Sequence, residues 1–270
     1  MSKGKYTSVH THSQASLHIF PGFTHIKYQF SSSVHTDPPK RGPIKEFSDK
    51  SRKNFIKALL SLERSPVHMV TLTYPDRYPG PQEAKNHLHH FAVRLMLTFP
   101  KAWFYWKLEP QRRGAPHFHL LGDFADDMPP AALRSWVSAV WFQVVGSKDL
   151  RHLRAGTRVD VIQGHRHLVR YLTKYVSKPQ GHANWESPGR FWGKIGTSNI
   201  PVSQGVHFTL GRREVIQLRR LIRRWLKRWT SRFSRIFAKL SSVTVYIPAQ
   251  LVEQFLRWVT QEPVALEGIT

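Results

Sequence analysis

The stretch KAWFYWKLEPQRRGAPHFHLLGDF, residues 101–124, decides how this chain is read. KAWFYWKLE (101–109) and PHFHLLGDF (116–124) are strand-like runs, and PQRRGA (110–115) joins them with Gly114 at the turn, which predicts a hairpin. Residues i and i+2 of a strand point to the same face. His117 and His119 therefore share one side, and Phe118 takes the other. Turning the chain about Arg113 and Gly114 sets Glu109 opposite His117, and directly opposed residues have Cβ atoms about 5 Å apart. Two imidazoles and a carboxylate on one face suit a divalent cation, Mg²⁺ or Mn²⁺, with positions left for phosphate oxygens. A structural pair of histidines fits the same residues, and the chain has 16 histidines in all.

Three other His-x-His pairs compete with this one. His87-Leu-His89 and His165-Arg-His167 fall on predicted helices, where i and i+2 diverge and share a metal poorly. His10-Thr-His12 lies in a polar amino-terminal stretch and has no apolar residue between its rings.

Outward from the hairpin, HMVTLTYP (68–75) reads as a strand stopped by Pro75, and GTRVDVIQG (156–164) as a short one. Helices are predicted over 48–62, in GPQEAKNHLHHFAVRLMLTF (80–99), in PPAALRSWVSAVWFQVVG (129–146) and in HRHLVRYLTKYVSK (165–178), the last ended by Pro179. Residues 179–206, rich in Gly, Pro, Ser and Trp, read as loop. Strands and helices alternate without the period of a parallel βαβ array, so the fold class is α+β, an antiparallel sheet carrying helices. The expected organisation is an arm over 1–50 with one strand at FTHIKYQF, a central domain over 51–206, and a basic helical region over 207–270.

That last region is GRREVIQLRRLIRRWLKRWTSRFSRIFAKL, a long amphipathic helix that Thr230 and Ser231 could break. Val215, Leu218, Ile222, Trp225 and Trp229 begin its apolar stripe. Arg219, Arg220, Arg223, Arg224, Lys227 and Arg228 are its candidate DNA contacts. The same helix fits a packed element with a solvated face, or one lying on an anionic membrane.

The whole chain carries 41 Lys and Arg against 17 Asp and Glu over 270 residues, a net charge of +24. Such an excess points to a polyanion, because neutralising phosphates releases counterions. A solvated basic surface with no partner is the plainer alternative. There is no cysteine, which excludes disulfides, zinc–thiolate sites and iron–sulfur clusters. The amino terminus has no apolar core of signal-peptide length, and no run approaches the ~18 apolar residues of a membrane span. The expectation is an intracellular protein, in the cytoplasm of a host cell.

RYLTKYVSK (170–178) contains two overlapping Tyr-x-x-Lys units, Tyr171 with Lys174 and Tyr175 with Lys178. Tyr171 and Tyr175 are i and i+4, on one helix face. A phenol attacks phosphorus poorly at neutral pH without a nearby cation or base. A metal on the scissile phosphate supplies that help, and the lysines suit the phosphate or the developing charge. A half-buried aromatic stripe is the alternative for the tyrosines.

In combination, TLTYP (71–75), EPQRRGAPHFHLL (109–121) and YLTKYVSK (171–178) resemble, in that order, the three motifs of the HUH endonucleases that initiate rolling-circle replication. The likeness is greatest to two-tyrosine initiators of single-stranded DNA phages and small plasmids, and it spans about two-fifths of the chain. The resemblance implies a five-stranded antiparallel sheet with the histidine pair on its central strand. It implies a metal held by His117, His119 and Glu109, and attack by a tyrosine on single-stranded DNA. The products are a 5′-phosphotyrosine link and a free 3′-hydroxyl for a polymerase. A second tyrosine then cleaves the regenerated origin, and religation releases a circle without a high-energy cofactor. Lys174 and Lys178 match the family's lysine after the tyrosine, and Thr71 to Tyr74 match a motif that is structural or DNA-contacting. GRFWGKIG (189–196) departs from a phosphate-binding loop, with one residue too few between its glycines and Ile after the lysine. No ATPase is read, and unwinding falls to a host helicase. Three alternatives stay open: a relaxase or a transposase of the same superfamily, and a non-catalytic basic DNA-binding protein.

Overall fold

The computed structural model describes residues 14–29, 42–164, 167–168, 171–172, 185, 188–227, 242–245, 254 and 257. The chain divides into two compact units, Lys40–Pro201 and a second drawn from both ends, Met1–Pro39 with Val202–Thr270. The first two strands in chain order, β1 (Gln14–Phe20) and β2 (Phe23–Gln29), belong to the second unit.

In the central unit, helix α1 (Asp49–Leu60) leads into strand β3 (His68–Leu72). Helix α2 (Pro81–Thr98) comes next, then β4 (Trp103–Pro110) and β5 (Pro116–Asp123). Helices α3 (Pro130–Val145) and α4 (Leu150–Ala155), then β6 (Thr157–Val161) and β7 (Trp192–Ile195), complete it. The five strands form one antiparallel sheet in the order β6-β3-β5-β4-β7, with the histidine-bearing β5 at its centre. The fold class read from the sequence, α+β on a five-stranded antiparallel sheet, is the observed one.

Period-two alternation divides the sheet into two faces. Val70, Leu72, Phe104, Leu108, Phe118 and Leu120 are fully buried on one of them. There they meet Leu88, Phe91 and Leu95 of α2 and Leu133, Val137 and Trp141 of α3. Ala84, Leu88, Phe91 and Leu95 recur at helical spacing, so α2 offers a continuous apolar stripe. Burying such side chains stabilises by about 1.5–3 kcal/mol each. This hydrophobic face fixes the register, since a one-residue slip would turn every one of them to the other side. Thr71, Lys107, Glu109, His117 and His119 alternate with them and are left on the opposite face.

The loop expected over 179–206 contains β7, which pairs with β4 from Phe104↔Ile195 to Lys107↔Trp192. At four residues the strand is too short to announce itself, and tertiary packing makes it. Trp192 lies 5.5 Å from the Phe55 ring, and its indole N–H donates to Ser51 Oγ at 3.1 Å. Half of GRFWGKIG, Trp192–Ile195, is thus edge strand.

The second unit is a four-stranded antiparallel sheet in the order β8-β1-β2-β9. Strands β8 (Val206–Gly211) and β9 (Ser242–Val245) flank β1 and β2. The amino-terminal stretch expected to hold one strand therefore holds two. The alternation in β1, with Ala15, Leu17 and Ile19 buried, is obscured in sequence by the Ser and His residues between them. Together with Leu210, these face helix α5 (Arg212–Lys227), which buries Val215 and Leu218. No helix among the described residues is long and apolar enough to cross a membrane.

Candidate active site

The hairpin forms in the expected register, with Glu109↔His117 and Lys107↔His119 opposed. Its tip closes through Gln111 N–H to the Ala115 carbonyl at 2.9 Å and Gly114 N–H to the Gln111 carbonyl at 2.8 Å. Gly114 has φ +84°, a left-handed conformation that glycine adopts without steric cost.

The His117 and His119 rings stand 4.4 Å apart, edge to face. His119 Nε2 lies 3.7 Å from Glu109 Oε2. His119 and Glu109 remain partly open, at 14 % and 21 % side-chain exposure. Both rings are held on their Nδ1 side. Thr71 Oγ1 is 3.2 Å from His119 Nδ1, and Gln111 Nε2 is 3.3 Å from His117 Nδ1. Such outer partners orient ligating imidazoles.

Gln111 is itself held by Arg113, whose Nε donates to Oε1 at 3.0 Å. The same guanidinium donates to the carbonyls of Pro75 and Tyr74, at 2.8 and 2.5 Å. Arg113 therefore ties the hairpin tip to the TLTYP segment. Trp185 and Tyr78 add donations to the Gly114 and Arg113 carbonyls, at 3.0 and 2.5 Å.

Two partners of the site escape sequence reading, Thr71 and Lys107. Lys107 is fully buried, with its Nζ 2.5 Å from Glu109 Oε1 and 5.2 Å from the Phe47 ring centroid. Its position two residues before Glu109, on the same strand face, was the available signal. A buried ammonium requires a partner, and Glu109 supplies one through one oxygen while the other oxygen faces His119.

Two imidazoles and a carboxylate are a donor set that fits a borderline-to-hard divalent cation, with Glu109 Oε2 and the histidine nitrogens as ligands. Among the described residues, no group of three or more His, Asp or Glu side chains is gathered closely enough to enclose an ion as it stands. Glu109 Oε1 is engaged by Lys107 as it stands.

Residues 164, 167, 168, 171 and 172 are helical, and Leu168 and Leu172 are buried. Tyr171 comes to the histidines, its ring centroid 6.1 Å from that of His119. Tyr175, Lys174 and Lys178 lie outside the described residues. Tyr74 also belongs to the first motif, but it is 3 % exposed, with its hydroxyl against His87 Nδ1 at 3.2 Å. Burial, and secondarily the charge of Glu83, push its phenol far above the ordinary range, so it is no nucleophile. Of the basic candidates on α5, Arg220 and Arg224 are exposed. The side chains of Arg219, Arg223 and Lys227, and the whole of Arg228, fall outside what is described.

Residues 67–180 match the model of a family of replication-associated proteins, the ORF2 type. The chain is 31 % identical over 126 residues to a replication-associated protein of Pseudomonas phage Pf3. That overlap covers 44 % of each protein, so the chain spans less than half the length of this curated relative. No solved structure matches it. The segment matched by the family model carries the hairpin and Tyr171, and both likenesses are to replication-associated proteins.

Proposed function

We propose that this chain is a replication initiator that nicks and rejoins single-stranded DNA through a phosphotyrosine, starting and ending rolling-circle replication. The observation that carries the reading is the meeting of Glu109, His117, His119 and Tyr171 on one face of the sheet, within the segment similar to replication-associated proteins.

His117, His119 and Glu109 would hold Mg²⁺ or Mn²⁺, which when bound polarises the scissile phosphate and offsets its charge. The phenol oxygen of Tyr171 or Tyr175 attacks phosphorus, with its proton passing to solvent or a nearby base. A P–O(tyrosine) bond forms as the P–O3′ bond breaks, and the strand leaves as a free 3′-hydroxyl. The reverse attack by a 3′-hydroxyl rejoins DNA and frees the tyrosine, so bond energy is conserved without a nucleotide cofactor. Lys174 and Lys178 suit the phosphate. Thr71 and Gln111 orient the imidazoles. The exposed Arg220 and Arg224, with Arg219, Arg223, Lys227 and Arg228, offer a sequence-independent backbone contact. A host helicase and polymerase are the implied partners, in the host cytoplasm.

The test is a denaturing gel of the protein with single-stranded DNA of its own replicon and Mn²⁺. Tyr171→Phe, Tyr175→Phe, the double variant, His117→Ala and His119→Ala are run beside the unaltered chain. A covalent adduct that vanishes only in the double tyrosine variant supports two nucleophiles, and loss in one single variant names a sole one. The histidine variants should lose the adduct while still binding DNA. Adduct formation that survives both histidine changes overturns the metal assignment. Tight binding with no adduct in any form favours the non-catalytic DNA-binding reading.

A further inference from the structure

Strand β6 is an edge of the five-stranded sheet, paired to β3 alone among the described strands. Where it meets α3 and α4, a groove of about 760 Å³ opens, lined by Arg134, Ser135, Arg154, Thr157, Arg158 and Asp160, among others. Arginines from three elements line it, against one carboxylate. That carboxylate is already engaged, since Arg158 Nε donates to Asp160 Oδ1 at 2.8 Å. The described arginines with ion pairs are Arg52, Arg64, Arg113, Arg151 and Arg158, so Arg134 and Arg154 are not among them. Both are exposed, and the Arg158 side chain is 75 % exposed.

The sheet register connects this groove to the candidate active site. Arg158 pairs opposite Thr71, and Thr71 opposite His119. Arg158 and His119 therefore stand in one cross-strand row on one face, two strand spacings apart, or about 10 Å. Helix α3 packs against the other face of the sheet, so a chain lying along that row turns round the β6 edge at Arg158 to enter the groove between α3 and α4. The lining contains arginines and hydroxyls but no aromatic side chain. It is equipped to hold phosphates rather than to stack bases.

We propose that this groove binds the sugar–phosphate backbone of single-stranded DNA next to the scissile phosphate, leading the strand to or from the histidine pair. The assignment rests on the nicking reading for what lies at the other end of the row. It is independent of α5, which belongs to the other unit.

The test is binding of the full chain to a fluorescent oligo-dT, read as anisotropy over a series of salt concentrations. The unaltered chain is compared with Arg134→Gln/Arg154→Gln/Arg158→Gln and with Arg154→Glu alone. A third variant, Arg94→Gln/Lys101→Gln/Lys148→Gln, removes the same charge from exposed positions elsewhere on the unit. Each phosphate contact contributes about 0.7 to the slope of log affinity against log salt for single strands. Loss of three contacts should lower the slope by about 2 in the groove variant and by clearly less in the matched one. Arg154→Glu should lower it by about 0.7 or more, and oligonucleotides of mixed sequence should behave as oligo-dT does. A slope unchanged in both groove variants, or lowered equally by the matched set, makes the groove a solvated basic surface and overturns the proposal. Adduct formation by the unaltered chain is scored separately. Its absence with a lowered slope removes the chemistry and leaves the groove, and the opposite pair of results does the reverse.

Discussion

Thr71 puts a single hydroxyl 3.2 Å from His119 Nδ1 and thereby selects which nitrogen of that ring faces Glu109. Thr71→Val keeps the shape and removes the hydrogen bond. Losing an outer partner of a ligating imidazole typically costs 10–100-fold in metal affinity or activity. We expect adduct formation to slow by about that factor at limiting Mn²⁺, with oligonucleotide affinity unchanged. A rate equal to that of the unaltered chain would show that the ring is oriented by something else. At this scale the sequence was informative wherever one strand sufficed. The i, i+2 rule placed His117 and His119 together, and a two-strand turn put Glu109 opposite. Thr71 and Lys107 were not legible as partners of the site. Thr71 reaches it from a strand 48 residues away, and the Lys107 side chain is buried by Phe47 from another segment.

Strand β5 tolerates little at its far end. An added Cβ on Gly122 would sit 1.9 Å from the Trp103 carbonyl oxygen and 2.7 Å from Phe104 Cα, both backbone atoms of β4. Neither can yield without breaking the β4–β5 ladder. Gly122→Ala should destabilise the protein by about 3 kcal/mol, at the upper end of the usual range for overpacking. A denaturation midpoint within error of the unaltered chain would contradict the close approach. The elements recovered from sequence were those with a long period: α2 and α3 by their 3.6-residue stripe, and β4 and β5 by alternation. Besides α4, β8 and β9, those missed were β7 and β1. The first is four residues held in place by Trp192 against Phe55, and the second is an alternating strand whose outward residues looked like those of a mobile arm.

Across the molecule, acid should act on both units through partly buried histidines. In the four-stranded unit, His18 faces His25 from β2 and His207 from β8 in one row, with Lys27 nearby. Burial first, then the charges of His207 and Lys27, lower its pKa from the ordinary 6.5. In the five-stranded unit, burial likewise lowers His87, with Glu83 opposing and His90 assisting. Well above pH 6.5 these rings are neutral whether the chain is folded or not, and stability is unaffected. Below it the unfolded chain takes up protons that the folded chain resists, so stability falls as pH drops towards the lowered values. Melts from about pH 7.5 to about pH 5 should show this loss, and His18→Gln should reduce it. Equal slopes with and without His18 would remove that residue from the account.

The four-stranded sheet also sets an order of events during synthesis. Strands β1 and β2 leave the ribosome about 180 residues before β8, the strand that must pair beside β1. At ~5–20 residues per second, that is a wait of roughly 10–40 s. A two-stranded hairpin alone is marginal in water. Only at the end of that interval does the nascent chain carry a completed Lys40–Pro201 unit, and its hairpin still has two unsatisfied edges. The strands made first are thus the last to acquire a stable sheet, and a product interrupted near residue 201 would present its five-stranded half folded and its β1–β2 hairpin as a ready client for chaperones.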